Sequence, residues 1–142
     1  MPAVPSDEEF LAYNQAVIDE FRRNHGVVSE PSFPILLLTT TGARTGRLAT
    51  VPLGFAVDDK GRVFVVASKA GSPRNPAWFH NLSANPAVTV ELGDKSFPAR
   101  AVVTAGEERD RLYGMLTGPS QYEENTDRVF PIVVLEGVPA PA

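Results

Sequence analysis

The period of the apolar positions changes near residue 35. Before it, Phe10, Tyr13, Val17, Ile18 and Phe21 recur at helical spacing. Ser6 precedes the acidic run Asp7-Glu8-Glu9, Arg22 and Arg23 close the segment, and Gly26 follows. A hydroxyl cap, acids at the positive end of the helix dipole, bases at the negative end and a glycine free to turn left-handed predict an amphipathic helix over Ser6–His25. Its apolar face either docks on the rest of the protein or meets a membrane surface or a partner.

From Ile35 onward the pattern is that of strands. Ile35–Thr41, Leu48–Val57, Arg62–Ser68, Ala87–Leu92, Ser96–Thr104 and Arg128–Glu136 are rich in β-branched residues or alternate in polarity. Asp58-Asp59-Lys60-Gly61 and Gly93-Asp94 are turn sequences between neighbouring strands. Asn75-Pro76 opens a short helix to about Ser83, with Asn as the cap and Pro at the first helical position. Glu107–Leu116 has helical composition and ends at Gly118-Pro119, and the tail GVPAPA is expected to fray. Hairpins dominate and no βαβ repeat occurs. The expected class is mainly β (α+β): a small antiparallel barrel with an N-terminal helix (residues 1–26) and two further short helices within 27–142.

Composition narrows the function. The 142 residues suit one domain. There is no cysteine, which excludes disulfides and thiolate chemistry and fits a cytoplasmic location. A net charge of −4 argues against nucleic acid as a partner. Two histidines are too few for a histidine-rich metal site, so no metal is expected. The first residues, MPAVPSDEEF, lack the basic and apolar regions of a signal peptide, and no apolar run nears the ~20 residues that span a bilayer. No G-x-G-x-x-G, P-loop, nucleophile elbow or carboxylate pair is evident.

One stretch stands out against that background. Thr39–Arg47 reads TTTGARTGR, a glycine-hinged turn carrying Arg44 and Arg47. Lys69 and Arg74 lie on the polar loop after the third strand, and in an antiparallel barrel the two loops emerge at the same end. Guanidinium groups bind phosphate or carboxylate in bidentate fashion, and glycines let backbone N–H groups approach an anion. The four cations either converge on one anion site or remain solvated. Trp78, in the short helix beside that loop, is either core packing or a wall for a planar ring. His80 reads as structural or exposed rather than catalytic. Tyr122, in the polar loop SQYEENTD, is either a surface residue or a phenol able to donate a proton at pH 7.

The segments TTTGARTGR, PLGF, VVASKAGSPRNPAWFHNL, ANPAVTVEL and TDRVFPIVVLEGV, in order from about Asn14 to Val138, resemble the deazaflavin (coenzyme F420)-dependent nitroreductase family. That resemblance implies a split β-barrel of the pyridoxamine-oxidase-like, FMN-binding superfamily. It further implies a reduced deazaflavin held in a groove, with its phosphate and oligoglutamate tail along a basic channel. The cofactor-binding positions it matches are Ala43, Arg44 and Thr45 in the turn, with Arg47 beside them. They continue through the run Ala49, Thr50, Val51, Pro52, Leu53 and Gly54, then Ala67, Ser68 and Lys69 with Arg74, and the helix start Ala77, Trp78 and Asn81. Ala49 stands where some relatives carry a second base, which Arg47 either replaces or does not. Of the tyrosine-rich substrate loop of the nitroimidazole-reducing relative, only Tyr122 falls in register.

The reaction so implied is hydride transfer from reduced F420 to an activated alkene, a quinone or a similar electrophilic small molecule, with Tyr122 or Ser68 as candidate proton donor. The alternatives are an FMN- or haem-binding split-barrel protein and a non-catalytic F420 carrier. Related barrels often pair, so a homodimer belongs to the same expectation, and peripheral membrane contact would come through the first helix.

Overall fold

A computed structural model describes residues 7–67, 75–116 and 130–141. Seven strands form one sheet in the order β2 (Leu48–Gly54), β1 (Ile35–Thr41), β5 (Ala87–Leu92), β6 (Lys95–Val103), β7 (Ile132–Glu136), β4 (Val63–Val66), β3 (Ala56–Val57). Every neighbouring pair is antiparallel. Three helices accompany them: α1 (Asp7–Arg23), α2 (Ala77–Ala84) and α3 (Gly106–Gly114).

The sheet closes because of one residue. β2 and β3 occupy opposite edges, yet only Phe55 separates them in the chain. A residue in extended backbone spans about 3.4 Å, so the two edges must meet. The single strand expected over Leu48–Val57 is therefore broken at Phe55 and serves both edges. Its first part pairs with β1, from Leu48 opposite Thr41 to Gly54 opposite Ile35; its last two residues pair with Phe64 and Val63. The split barrel with an N-terminal helix and two short helices is the fold expected from the sequence.

Strand alternation sends side chains into three cores. Leu36 and Leu38, Val63 and Val65, Val88 and Val90, and Val133 and Leu135 pack inside the barrel. The opposite face of β1, Ile35 and Leu37, packs against Val17, Ile18 and Phe21 of α1. The opposite faces of β4 and β7, through Phe64, Ile132 and Val134, pack against Leu112 of α3. The apolar stripe of α1 thus docks on the barrel through Val17, Ile18 and Phe21, and the chain turns after the helix at Gly26 (φ +93°), whose N–H donates to the Phe21 carbonyl at 2.8 Å. Among the described residues no helix is long and apolar enough to cross a membrane.

Several boundaries differ from expectation. Pro76 is the N-cap of α2 rather than its first helical residue, with extended backbone (ψ 158°) and no side-chain cap bond. A residue preceding the helix need not donate its N–H, which suits proline as well as the first-turn position does. β4 starts at Val63, because Arg62 belongs to the turn, and β7 starts at Ile132. Ser6, at the expected start of the first helix, and residues 128–129 lie outside the described residues.

Charge fastens α3 to the β3–β4 turn. Asp58, whose side chain is fully buried, accepts from the Lys60 and Arg62 N–H groups at 3.0 and 2.8 Å and from Arg62 Nε at 2.7 Å. Arg62 Nη2 reaches Glu108 at 2.6 Å, and Arg111 Nη1 reaches Asp59 at 3.0 Å. Deeper in α3, the buried Arg109 donates from Nε to the Phe130 carbonyl at 3.0 Å and lies 4.6 Å over the Tyr113 ring.

Burial alone would raise the Asp58 carboxyl, but the Arg62 and Lys60 N–H groups and the Arg62 guanidinium outweigh it and hold it below the usual carboxylate range. A depressed folded pKa contributes stability above the unfolded value of about 3.9, and that contribution is lost as pH falls through the lower folded value. Urea unfolding of wild type should therefore weaken more steeply below about pH 4 than that of Asp58→Asn. The variant should be less stable at pH 7, by roughly 1–3 kcal/mol, because buried donors lose their charged acceptor. Parallel acid limbs would refute the assignment.

Candidate functional site

β1 and β4 run in the same direction, since three antiparallel neighbours (β5, β6 and β7) intervene between them in the sheet. The turn after β1 and the chain leaving β4 at Ala67 consequently emerge at one end of the barrel. So do the start of β5 and the end of β6. The two loops thus start at the same end of the barrel, as expected from the sequence.

The turn Gly42–Arg47 is internally bonded. The Gly42 N–H donates to the Arg47 carbonyl at 2.7 Å and the Gly46 N–H to the Gly42 carbonyl at 3.0 Å. Thr45 Oγ1 accepts from the Arg47 N–H at 3.1 Å. Both glycines have a structural reason. Gly46 sits at φ +70°, where L side chains are strained, and a Cβ on Gly42 would come within 2.7 Å of Thr45 Oγ1. Arg44 and Arg47 are exposed, with no ion-pair partner among the described residues. A guanidinium without a carboxylate partner, on a turn whose amides are stiffly held, is chemically suited to a phosphate or carboxylate ligand.

Behind the turn stands α2, which closes this end of the barrel. Trp78 and Leu82, four residues apart and so on one helix face, are buried in the interior core with Leu36, Leu38 and Ala101. Trp78 retains 7% of its surface. Of its two readings, the structure favours core packing, because the ring is enclosed by strand side chains. Asn81, on the same helix, accepts the Ala43 N–H on Oδ1 and donates from Nδ2 to Thr40 Oγ1, both at 3.1 Å. Ala77 and His80 are exposed, the latter with its ring edge-on to Phe79.

The run Ala49–Gly54 divides by strand alternation. Ala49, Val51 and Leu53 pair opposite Thr40, Leu38 and Leu36 on the inward face, and Val51 and Leu53 pack against the interior core. Thr50, Pro52 and Gly54 lie on the outward face, where Thr50 Oγ1 is 2.7 Å from Thr39 Oγ1 and Phe33 lies over Gly54. Ala67 is buried and donates its N–H to the Pro131 carbonyl at 2.9 Å. Ser68, Lys69, Arg74 and Tyr122 lie outside the described residues. A cleft of about 520 Å³ lies at the other end of the barrel beside Ile35, Phe55 and Leu92, and none of its lining residues is charged.

With this geometry in view, residues 14–137 match the model of a family described as F420H(2)-dependent quinone reductase. The chain belongs to the F420H(2)-dependent quinone reductase family. The protein is thus an oxidoreductase whose cofactor is coenzyme F420, as the resemblance in the sequence implied. An F420H(2)-dependent quinone reductase of Mycobacterium tuberculosis is 38% identical over 121 residues, covering 80% of this chain and 79% of the relative. The solved structure of an F420-H2 dependent reductase, FDR-A, is 41% identical, covers 72% of this chain and 94% of its own, and superposes with a TM-score of 0.64. Another, a domain-swapped dimer, is 36% identical over 92% of this chain and all of its own, with a TM-score of 0.67.

In this family member the donor set suits the cofactor's anionic part: a glycine turn held by internal hydrogen bonds, with two guanidinium groups that have no ion-pair partner among the described residues. The packing role of Trp78 has a direct consequence. Trp78→Ala should lower stability by about 3–5 kcal/mol, the cost of a large core truncation, read as a fall in Tm and in the urea midpoint. A change within about 0.5 kcal/mol, the range of surface substitutions, would mean that the indole is not core.

Proposed function

We propose that this F420H(2)-dependent reductase transfers a hydride to a small electrophilic acceptor, a quinone or an activated alkene such as an enone or unsaturated lactone, at the glycine-turn end of the barrel. The carrying observation is the stiff turn whose Arg44 and Arg47 have no ion-pair partner among the described residues, at the barrel end from which Ala67 also leads into Ser68 and Lys69. When bound, reduced F420 supplies the hydride.

The chain's own residues bind and orient. Arg44, with Lys69 and Arg74 from the second loop, would hold the phosphate and glutamate carboxylates of the cofactor. The Gly42–Arg47 turn fixes where Arg44 starts. Arg47 belongs to the same face of its strand as Ala49, because the Gly42–Arg47 hydrogen bond extends the β1–β2 ladder by one more pair. It stands two residues further out, about 7 Å along the strand, and on this reading supplies the charge some relatives place at the later position. Backbone along Ala49–Gly54 and Ala67 lines the approach, with Ala77 at the helix start. Tyr122 and Ser68 are the candidate groups for returning a proton to the reduced acceptor.

Pairing of two copies is part of this reading, supported by the relative solved as a domain-swapped dimer. Peripheral membrane contact through α1 would rest on Leu11 and Tyr13, which stay exposed after the Val17–Ile18–Phe21 stripe has docked.

Spectral titration with F420, FMN and haem, followed by anaerobic turnover of reduced F420 against quinones, enones and nitro compounds, tests the reading. F420 should bind preferentially, and quinones or enones should be reduced. Arg44→Ala and Lys69→Ala should each weaken F420 binding about tenfold to a hundredfold, the worth of a charge-assisted hydrogen bond. The penalty should shrink as salt screens the pair. Unchanged affinity in both variants, or preferential retention of FMN, would overturn it.

A further inference from the structure

We propose that Asn81 is a positioning residue that holds the anion-binding turn in register through its bonds to Ala43 and Thr40. The inference rests on the reading of the glycine-turn end as the F420 site.

The side chain is committed at both ends. Asn81 Oδ1 accepts the N–H of Ala43, the residue immediately before Arg44, and Nδ2 donates to Thr40 Oγ1. Thr40 is 1% exposed and points to the barrel interior beside Leu38. The remaining bonds of the turn, Gly42 to Arg47, Gly46 to Gly42 and Arg47 to Thr45, are all internal to it. They shape the turn as a continuation of the β1–β2 hairpin, without a contact to α2. The Asn81 bond ties the peptide leading into Ala43, one residue before Arg44, to another element.

The anchor for that bond is rigid. Asn81 lies between Trp78 and Leu82 in the chain, and both are buried in the interior core. A second, longer link runs from Asn85 Nδ2 to the Thr41 carbonyl at 3.5 Å. The position of α2 in the barrel mouth is thereby coupled to the position of the cation. An aliphatic residue at 81 would leave the turn shape intact and lose this coupling, along with the partner of an amide beside the anion site.

Thr40 makes the test decisive, because its hydroxyl is buried and its side-chain partner is Asn81 Nδ2. Asn81→Ala, Thr40→Val and the Asn81→Ala/Arg44→Ala pair are compared by titration with F420 and with its riboflavin-level analogue, which lacks the phosphate and glutamate tail. Exchange of the Ala43 amide is followed by NMR without any ligand. Asn81→Ala should weaken F420 binding on the order of tenfold while leaving the analogue within about twofold. Thr40→Val should move both quantities in the same direction by less, and the Ala43 amide should exchange faster in both variants. The double variant should lose less than the product of its single losses.

An equal loss on the analogue overturns the proposal, as does a full loss in Asn81→Ala with none in Thr40→Val, which would make Asn81 a direct ligand. Unchanged Ala43 exchange overturns it as well. A wild-type protein that binds F420 no better than the analogue would sink the reading of the site instead, and the exchange data would still decide whether Asn81 holds the turn.

Discussion

The fold depends on a single covalent constraint: one chain segment must reach both edges of the sheet, and Phe55 is the only residue available to join them. That joint brings the two ends of the sheet together at a corner, so the sheet curls into a split barrel. Closure also dictates the rest. The inward side chains pack together as the interior core. The outward apolar residues of β1 and of the β4–β7 pair still need cover, and α1 and α3 provide it at separate places. α2 is left with the open end, where Trp78 and Leu82 complete the interior core and Asn81 meets the turn.

Much of this was legible in the sequence, for reasons that differ by element. β1 and β5 fall where the apolar runs and their breakers put them, residue for residue. The break at Phe55 left no mark because Val51, Leu53 and Phe55 keep one inward phase through it. A bend that preserves alternation is invisible to a pattern built on alternation. The burial of Arg109 was equally hidden. A charged residue in a polar helix reads as solvated, and the carbonyl that makes its burial tolerable belongs to Phe130, 21 residues away.

The candidate site divides the same way. Its end of the barrel followed from strand direction, and its glycines and arginines from local composition. The contact that ties them to the fold did not, since Ala43 and Asn81 are 38 residues apart and an asparagine inside a short helix has no spacing that announces a partner. The family resemblance did mark Asn81, but as a position in a motif rather than as a bond. The structure supplies the bond. It also places Trp78 in the interior core, one of the two readings its sequence left open. Turn and plug are therefore mechanically continuous, although no sequence pattern joins them.

Alternation also changes what the run Ala49–Gly54 can do. Read as a motif it is one block of cofactor contacts; as a strand it presents side chains to two faces, with the backbone common to both. Its inward members Val51 and Leu53 are engaged with the core, and its outward members Thr50 and Gly54 are engaged with Thr39 and Phe33. Backbone groups and the exposed Ala49, next to the rim, are what remain for a ligand crossing the mouth. A small side chain there leaves space, and the nearest positive charge on that face is Arg47, about 7 Å further out. On the proposed reading, the substitution of Ala for a base does not delete the cation but moves it toward the turn. There it would meet the cofactor's charged tail rather than its ring, alongside Arg44.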